Sequence, residues 1–333
     1  MTNVMITGGA GFLGARLARD LLADGSLAVA GGAARPLRRL TVADQAPVPA
    51  DLAADERVTA LRGELSDLLR PGGAGWPALT AASVIFHLAA AVSAECEADF
   101  DLGIRANLRA TETLLAACRA AGTRPVLVFA SSLAVFGSSA EHPLPAVVDD
   151  QTMPNPQTSY GVQKVIGEQL LADYTRKGYL RGRSVRLMTV CVRPGRPNAA
   201  ASGFLSGIIR EPPAGQRAVC PVDPHTEVAL ASPARALAGL RRAAAASGAA
   251  WGGRTAVNLP ALTVTVREMV AALEEVAGPA VTGLIDWVPD PAVARIVTGW
   301  PARFEAGRAA GLGLLPDPDF GSIVRAYLAE TRT

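Results

Sequence analysis

Thr7-Gly8-Gly9-Ala10-Gly11-Phe12-Leu13-Gly14 follows directly on the strand-like Val4-Met5-Ile6 and runs into a segment of helical period. A strand has to turn abruptly into a helix there. Glycines at 8, 11 and 14 allow the turn, a close backbone approach to a ligand, and tight packing of the helix on its strand. The free N–H groups at the start of the helix, around Phe12 and Leu13, then face an anion. The motif predicts a dinucleotide pyrophosphate seated at the N-terminus of a helix over Phe12–Ala23.

The rest of the first half keeps the same rhythm. Val4–Thr7, Leu40–Ala43, Val58–Arg62, Val84–Leu88, Val126–Ala130 and Val185–Val192 read as buried parallel strands. Phe100–Ala121 and Ser159–Arg176 carry apolar residues at three- and four-residue spacing between them. The alternation predicts an α/β fold, a doubly wound parallel (Rossmann) sheet with helices on both faces. Ser26–Arg39, rich in Gly, Ala and Arg, reads as an enlarged loop before the second strand. From Pro194 the prolines become dense, which predicts a smaller lobe of short elements. Pro233–Ala246, Ala256–Leu259 and Val266–Ala277 read as helix, strand and helix that rejoin the sheet. The expected organisation is a nucleotide domain over 1–192 and 233–280, with a substrate lobe over 193–232 and 281–333.

Asp44 ends the second strand, where a carboxylate accepts hydrogen bonds from ribose hydroxyls and repels a 2′-phosphate. Gln45–Pro49 contains no Lys or Arg to welcome that phosphate, so the expected cofactor is NAD. Glu64 and Leu65, after the third strand, are placed to face the adenine.

Tyr160 and Lys164 lie four residues apart, side by side on one helical face. Oxidising an alcohol requires removal of its hydroxyl proton, and a free tyrosine has a pKa of ~10. A neighbouring ammonium favours the phenolate; moving that pKa by ~3 units requires about 4 kcal/mol. Ser132 sits directly after the fifth strand, at the carboxyl edge of the sheet. There a hydroxyl can donate to the reacting oxygen. Any one of these patterns is common alone; their combination is not.

Half the residues are hydrophobic and 19% are charged, which excludes wholesale disorder. Thirty-two basic against 30 acidic residues leave a net charge of +2 without a basic cluster, so neither nucleic acid nor a membrane surface is an expected partner. The longest apolar run, Ala81–Ala94, is too short to span a bilayer, and no secretory signal is visible. Cys96, Cys118, Cys191 and Cys220 form no CxxC, and His87, His142 and His225 are scattered. No metal site is expected, and the thiols point to a reduced, cytoplasmic protein.

Together TGGAGFLG, HLAA at His87–Ala90, Asn107, SSLAVFG and YGVQK resemble the extended short-chain dehydrogenase/reductases in order and spacing, along almost the whole chain. The resemblance implies Ser132, Tyr160 and Lys164 as the catalytic set. It implies that Lys164 also holds the nicotinamide ribose, with Asn107 in support. It further implies cofactor contacts from Ala89, Ala90 and Pro194, and a homodimer formed through the helices at Phe100–Ala121 and Ser159–Arg176.

Most relatives in that group are nucleotide-diphosphate-sugar epimerases or dehydratases, which stand as the alternative reading. Two departures point elsewhere. The usual tyrosine of the SSxxVYG pattern is Phe136, and Val192–Asn198 replaces a motif resembling RxxNVYGP. Val192–Gln216 and Trp287–Pro301 look like the branch of the family that oxidises the four-carbon sugar acid D-erythronate at its 2-hydroxyl. Such a substrate needs a fixed cation for its carboxylate, a role suited to Arg193 or Arg196. Asn198 and Ser202 are placed to hold hydroxyls.

Overall fold

The computed structural model describes residues 1–195 and 201–331; Arg196 and Asn198 therefore lie outside the described residues. Seven parallel strands form the main sheet: β1 (Thr2–Thr7), β2 (Arg35–Asp44), β3 (Val58–Arg62), β4 (Val84–His87), β5 (Val126–Ser132), β6 (Arg181–Leu187) and β7 (Val257–Asn258). Their spatial order is β3-β2-β1-β4-β5-β6-β7. Val4 pairs with Leu40 on one side and with Val84 on the other. The strands are apolar on both faces because helices cover both. The chain reverses direction across the sheet between β1 and β4, and the crevice at their carboxyl ends is where such sheets bind ligands.

Helix α1 (Phe12–Asp24) buries Leu17, Ala18 and Leu21 on one face and stops at Gly25, a left-handed residue at φ 64°. On the other face run α2 (Ala110–Ala121) and α3 (Ser159–Arg176). Thr158 caps α3 by accepting a hydrogen bond from the Gly161 N–H, which fixes the first turn that carries Tyr160.

Three expectations are corrected. The second strand begins at Arg35 rather than Leu40, and Ser26–Leu27 pairs antiparallel with Arg35–Pro36. Arg35, Arg38 and Arg39 are exposed while Leu37 is buried, so this stretch is a strand that an apolar-run reading overlooks. The sixth strand runs over Arg181–Leu187, not Val185–Val192. Arg183 and Arg186 hide their charges, one stacked over Trp251 at 5.3 Å and the other paired with Glu168. Thr189–Val190 then crosses into a three-stranded sheet with Glu227–Ala231 and Leu262–Thr265. Phe100–Ala121 is three pieces rather than one helix, because a π-helical turn over Ile104–Arg109 interrupts it. Such turns re-aim side chains, and this one carries Asn107.

The small sheet divides two cores. Along Glu227–Ala231, Ala229 and Ala231 pack with the main sheet while Val228 and Leu230 face a second cluster containing Leu205, Ile208, Met269, Leu273 and Phe320. Helix Pro233–Ala245 and β7 pack on the main sheet, whereas helix Val266–Ala277 packs in the second core.

Candidate active site

The glycine loop is built around contacts that a Cβ would destroy. Gly8 lies at φ 72°, and a Cβ there would stand 2.5 Å from the Ala89 backbone nitrogen. A Cβ on Gly14 would stand 2.2 Å from the Gly8 carbonyl oxygen, so α1 starts directly against β1. Gly11 has more room and lines the cleft, leaving its backbone open to a phosphate. At the far end Asp44 accepts hydrogen bonds from the backbone N–H groups of Ala10 at 2.9 Å and Ala46 at 3.0 Å, one on each carboxylate oxygen. Each oxygen keeps a lone pair for a ribose hydroxyl. Glu64 is exposed and accepts from Gln45 Nε2 at 3.1 Å. The Leu65 side chain packs in the core, so only its main chain is available to an adenine. A bound dinucleotide fits this cradle in shape and in donor chemistry.

A cleft of about 420 Å³ runs from that loop past Ala90 and Ser132 to Tyr160, Lys164, Arg193 and Pro194. The groups predicted to act together therefore converge, although they come from separate elements. Lys164 Nζ donates to the Ala130 carbonyl at 2.9 Å and stands 5.4 Å from the Tyr160 ring centroid. Ser132 Oγ accepts from the Ala134 N–H at 3.1 Å, and its hydroxyl faces the cleft beside the Tyr160 phenol.

Electrostatics distinguish the two cations. Burial pushes the Tyr160 phenol up to about 12; the Arg193 guanidinium and the Ser132 hydroxyl pull it back down. Arg193 thus stands as a second cation beside the phenol, together with Lys164. Burial pulls Lys164 itself down to about 8, while Cys96 and Glu168 favour its charged form. Among the described residues no carboxylate pairs with Arg193, whose buried guanidinium lies near the Tyr160 phenol and the Cys191 thiol. Its main chain is held instead: its N–H donates to Ser206 Oγ at 3.0 Å and its carbonyl accepts from Arg210 at 2.7 Å.

Asn107 stands behind the cleft wall. It brackets Ala91, accepting from its N–H at 2.8 Å and donating to its carbonyl at 3.2 Å, and donates to Gln163 Oε1 at 2.7 Å. It positions the segment after β4 against α3 and does not touch Tyr160 or Lys164. His87 is spanned by Thr7 at 2.6 Å and Thr111 at 3.0 Å, and burial pulls it down to about 3. It is a neutral structural residue.

Beneath Lys164, one helical turn on, Glu168 makes a two-pronged ion pair with Arg186 at 2.7 and 2.9 Å and accepts from Ser131 Oγ at 2.5 Å. The pair ties α3 to β5 and β6. Glu168→Leu should cost about 3–5 kcal/mol in urea unfolding because Arg186 is left buried and unpaired. Replacing Arg186 by Met as well should recover most of that loss.

Sequence reasoning missed Ser206 and Arg210 on helix Gly203–Arg210, and Trp300. Nothing local marks them, because their lobe is brought over the sheet by tertiary packing alone. Among the described residues no cluster of His, Cys, Asp and Glu could hold a metal, and no helix is long and apolar enough to cross a membrane.

A glycine cradle for pyrophosphate, joined to a tyrosine, lysine and serine at the other end of one cleft, defines a nicotinamide-dependent enzyme acting at a carbon that bears oxygen. The comparisons agree: the NAD dependent epimerase/dehydratase family matches residues 4–226, and the chain belongs to that family. It is 49% identical to D-erythronate dehydrogenase from Cupriavidus necator over 98% of each chain. It is 37% identical to D-erythronate dehydrogenase from Haemophilus influenzae, again over 98% of each. Among solved structures, a nucleoside-diphosphate-sugar epimerase from Agrobacterium tumefaciens superposes with a TM-score of 0.88 at 41% identity, covering 98% of this chain and 93% of that one.

Proposed function

We propose that this NAD-dependent dehydrogenase oxidises a small sugar acid, D-erythronate, at its 2-hydroxyl to the 2-keto acid. The observation that carries the reading is the Arg193 guanidinium, free of any described carboxylate, beside Tyr160 in a side chamber of about 60 Å³. A planar cation suits a carboxylate by its forked geometry. The chamber has room for roughly five water-sized groups, enough for part of a small acid while the rest lies in the adjoining cleft at Tyr160. NAD supplies the hydride acceptor when bound. Tyr160 Oη takes the hydroxyl proton, Ser132 donates to the same oxygen as charge develops, and Lys164, anchored on Ala130, holds the nicotinamide ribose. Arg196, Asn198 and Ser202 complete the proposed substrate set; of these Ser202 lines the chamber.

The names of the two full-length relatives support this substrate. The Agrobacterium structure's name supports the alternative, a nucleotide-sugar epimerase or dehydratase. Stripped of any retained nucleotide and given NAD, the protein should accumulate NADH with D-erythronate and show no change with nucleotide sugars. Failure to turn over any four-carbon acid would remove the reading, and sugar interconversion without net NADH would establish the alternative. The exposed Phe100, Val162 and Ile166 beside and along α3 support a homodimer, for which light scattering should return the mass of two chains. Four buried free thiols support a reducing, cytoplasmic setting.

A further inference from the structure

Two cavities meet at Trp300. One is the 60 Å³ chamber against Tyr160, Ser132 and Arg193. The other, of about 10 Å³, lies on the far side, between Leu205, Val228 and Ala229. Leu133, Thr189 and Trp300 line both, so these three residues form the partition. Leu133 and Thr189 are set by the two sheets: one follows β5 in the main core, and the other pairs with Leu230. Trp300 is held less firmly. It follows helix Pro291–Thr298 in a turn, donating its main-chain N–H to the Val297 carbonyl at 3.3 Å, and is half-buried against both cores. Among the described residues its indole N–H has no hydrogen-bond partner.

We propose that Trp300 is a specificity-determining residue that limits the chain length of the acid the enzyme oxidises. The inference rests on the sugar-acid reading above. A substrate whose carboxylate meets Arg193 and whose reacting carbon sits at Tyr160 has only the remainder of the chamber for its other end, since the larger cleft belongs to the cofactor. Among the described residues Trp300 walls that remainder on the side of the second cavity. Beyond it, 10 Å³ is at the limit for a single water. A four-carbon acid reaches toward the indole, and along that direction a fifth carbon with its hydroxyl runs into it. Removing the indole joins the two cavities and opens the path between the cores.

The test compares four-, five- and six-carbon aldonates with NAD for the wild type, Trp300→Phe and Trp300→Ala, reading kcat/KM from NADH formation. The wild type should favour the four-carbon acid. In Trp300→Ala the five-to-four-carbon ratio should rise about 10- to 100-fold, the span that one added or missing carbon group commands in a fitted pocket. Trp300→Phe should move the ratio a few-fold the same way, and it carries the test if the alanine variant does not fold. A wild type inactive on every four-carbon acid defeats the substrate reading itself. An active wild type whose variants keep the original ratio, or lose all acids in equal proportion, defeats only the role of Trp300.

Discussion

Tyr160→Phe lowers kcat by about 10²–10⁴-fold and leaves NAD binding nearly unchanged, the expected result if the phenol moves a proton and little else. The change deletes one oxygen from a ring that stays packed over Lys164 and keeps the cleft's shape. The glycine loop and Asp44, which carry the pyrophosphate and adenosine ends, lie at the opposite end. NAD titration by fluorescence should thus match wild type while steady-state NADH production collapses. Equal losses in cofactor affinity and in rate would show that Tyr160 serves as a wall rather than a base.

Arg193→Leu should raise KM for the acid about 10- to 100-fold, because a charge-assisted fork to a carboxylate is lost. It should also move the pH profile. The guanidinium cation favours the charged phenolate, so it opposes the burial that pushes Tyr160 up to about 12. Removing it raises the phenol's pKa further, and the acidic limb of kcat/KM shifts to higher pH. Arg193→Lys separates the two effects: the charge remains, so the limb should return, but the fork does not, so KM stays high. An Arg193→Leu enzyme with an unmoved limb would show that the arginine binds substrate without tuning the base.

Both effects meet at Tyr160, and they show how far the sequence could be read. The strand, glycine turn and helix over residues 4–24 were legible because each signal is local: φ at Gly8, packing at Gly14 and apolar spacing along α1 act within a few residues. Tyr160 and Lys164 were legible for the same reason, since helical geometry alone sets four residues side by side. The strand at Arg35–Asp44 was misread at its start, and the strand at Arg181–Leu187 at both ends. In the first, arginines extend into solvent. In the second, Trp251 and Glu168, distant along the chain, take up the charge. No periodicity within a strand reports partners 18 or more positions away.

Asn107 illustrates the same division. Its place in a motif was visible, but its work was not, because a π-helical turn directs it at Ala91 and Gln163 rather than at the reacting atoms. The chain's own order of residues thus determined the glycine loop, the placing of Tyr160 beside Lys164 and the class of fold, all products of short-range geometry. Only the tertiary structure decided that Arg193 lies beside the phenol as well as Lys164, and that Trp300 lines the chamber next to them. Those contacts join β5, α3, the crossing at Thr189 and the C-terminal lobe. Their strength depends on burial and distance, which exist only once two cores have packed against one sheet.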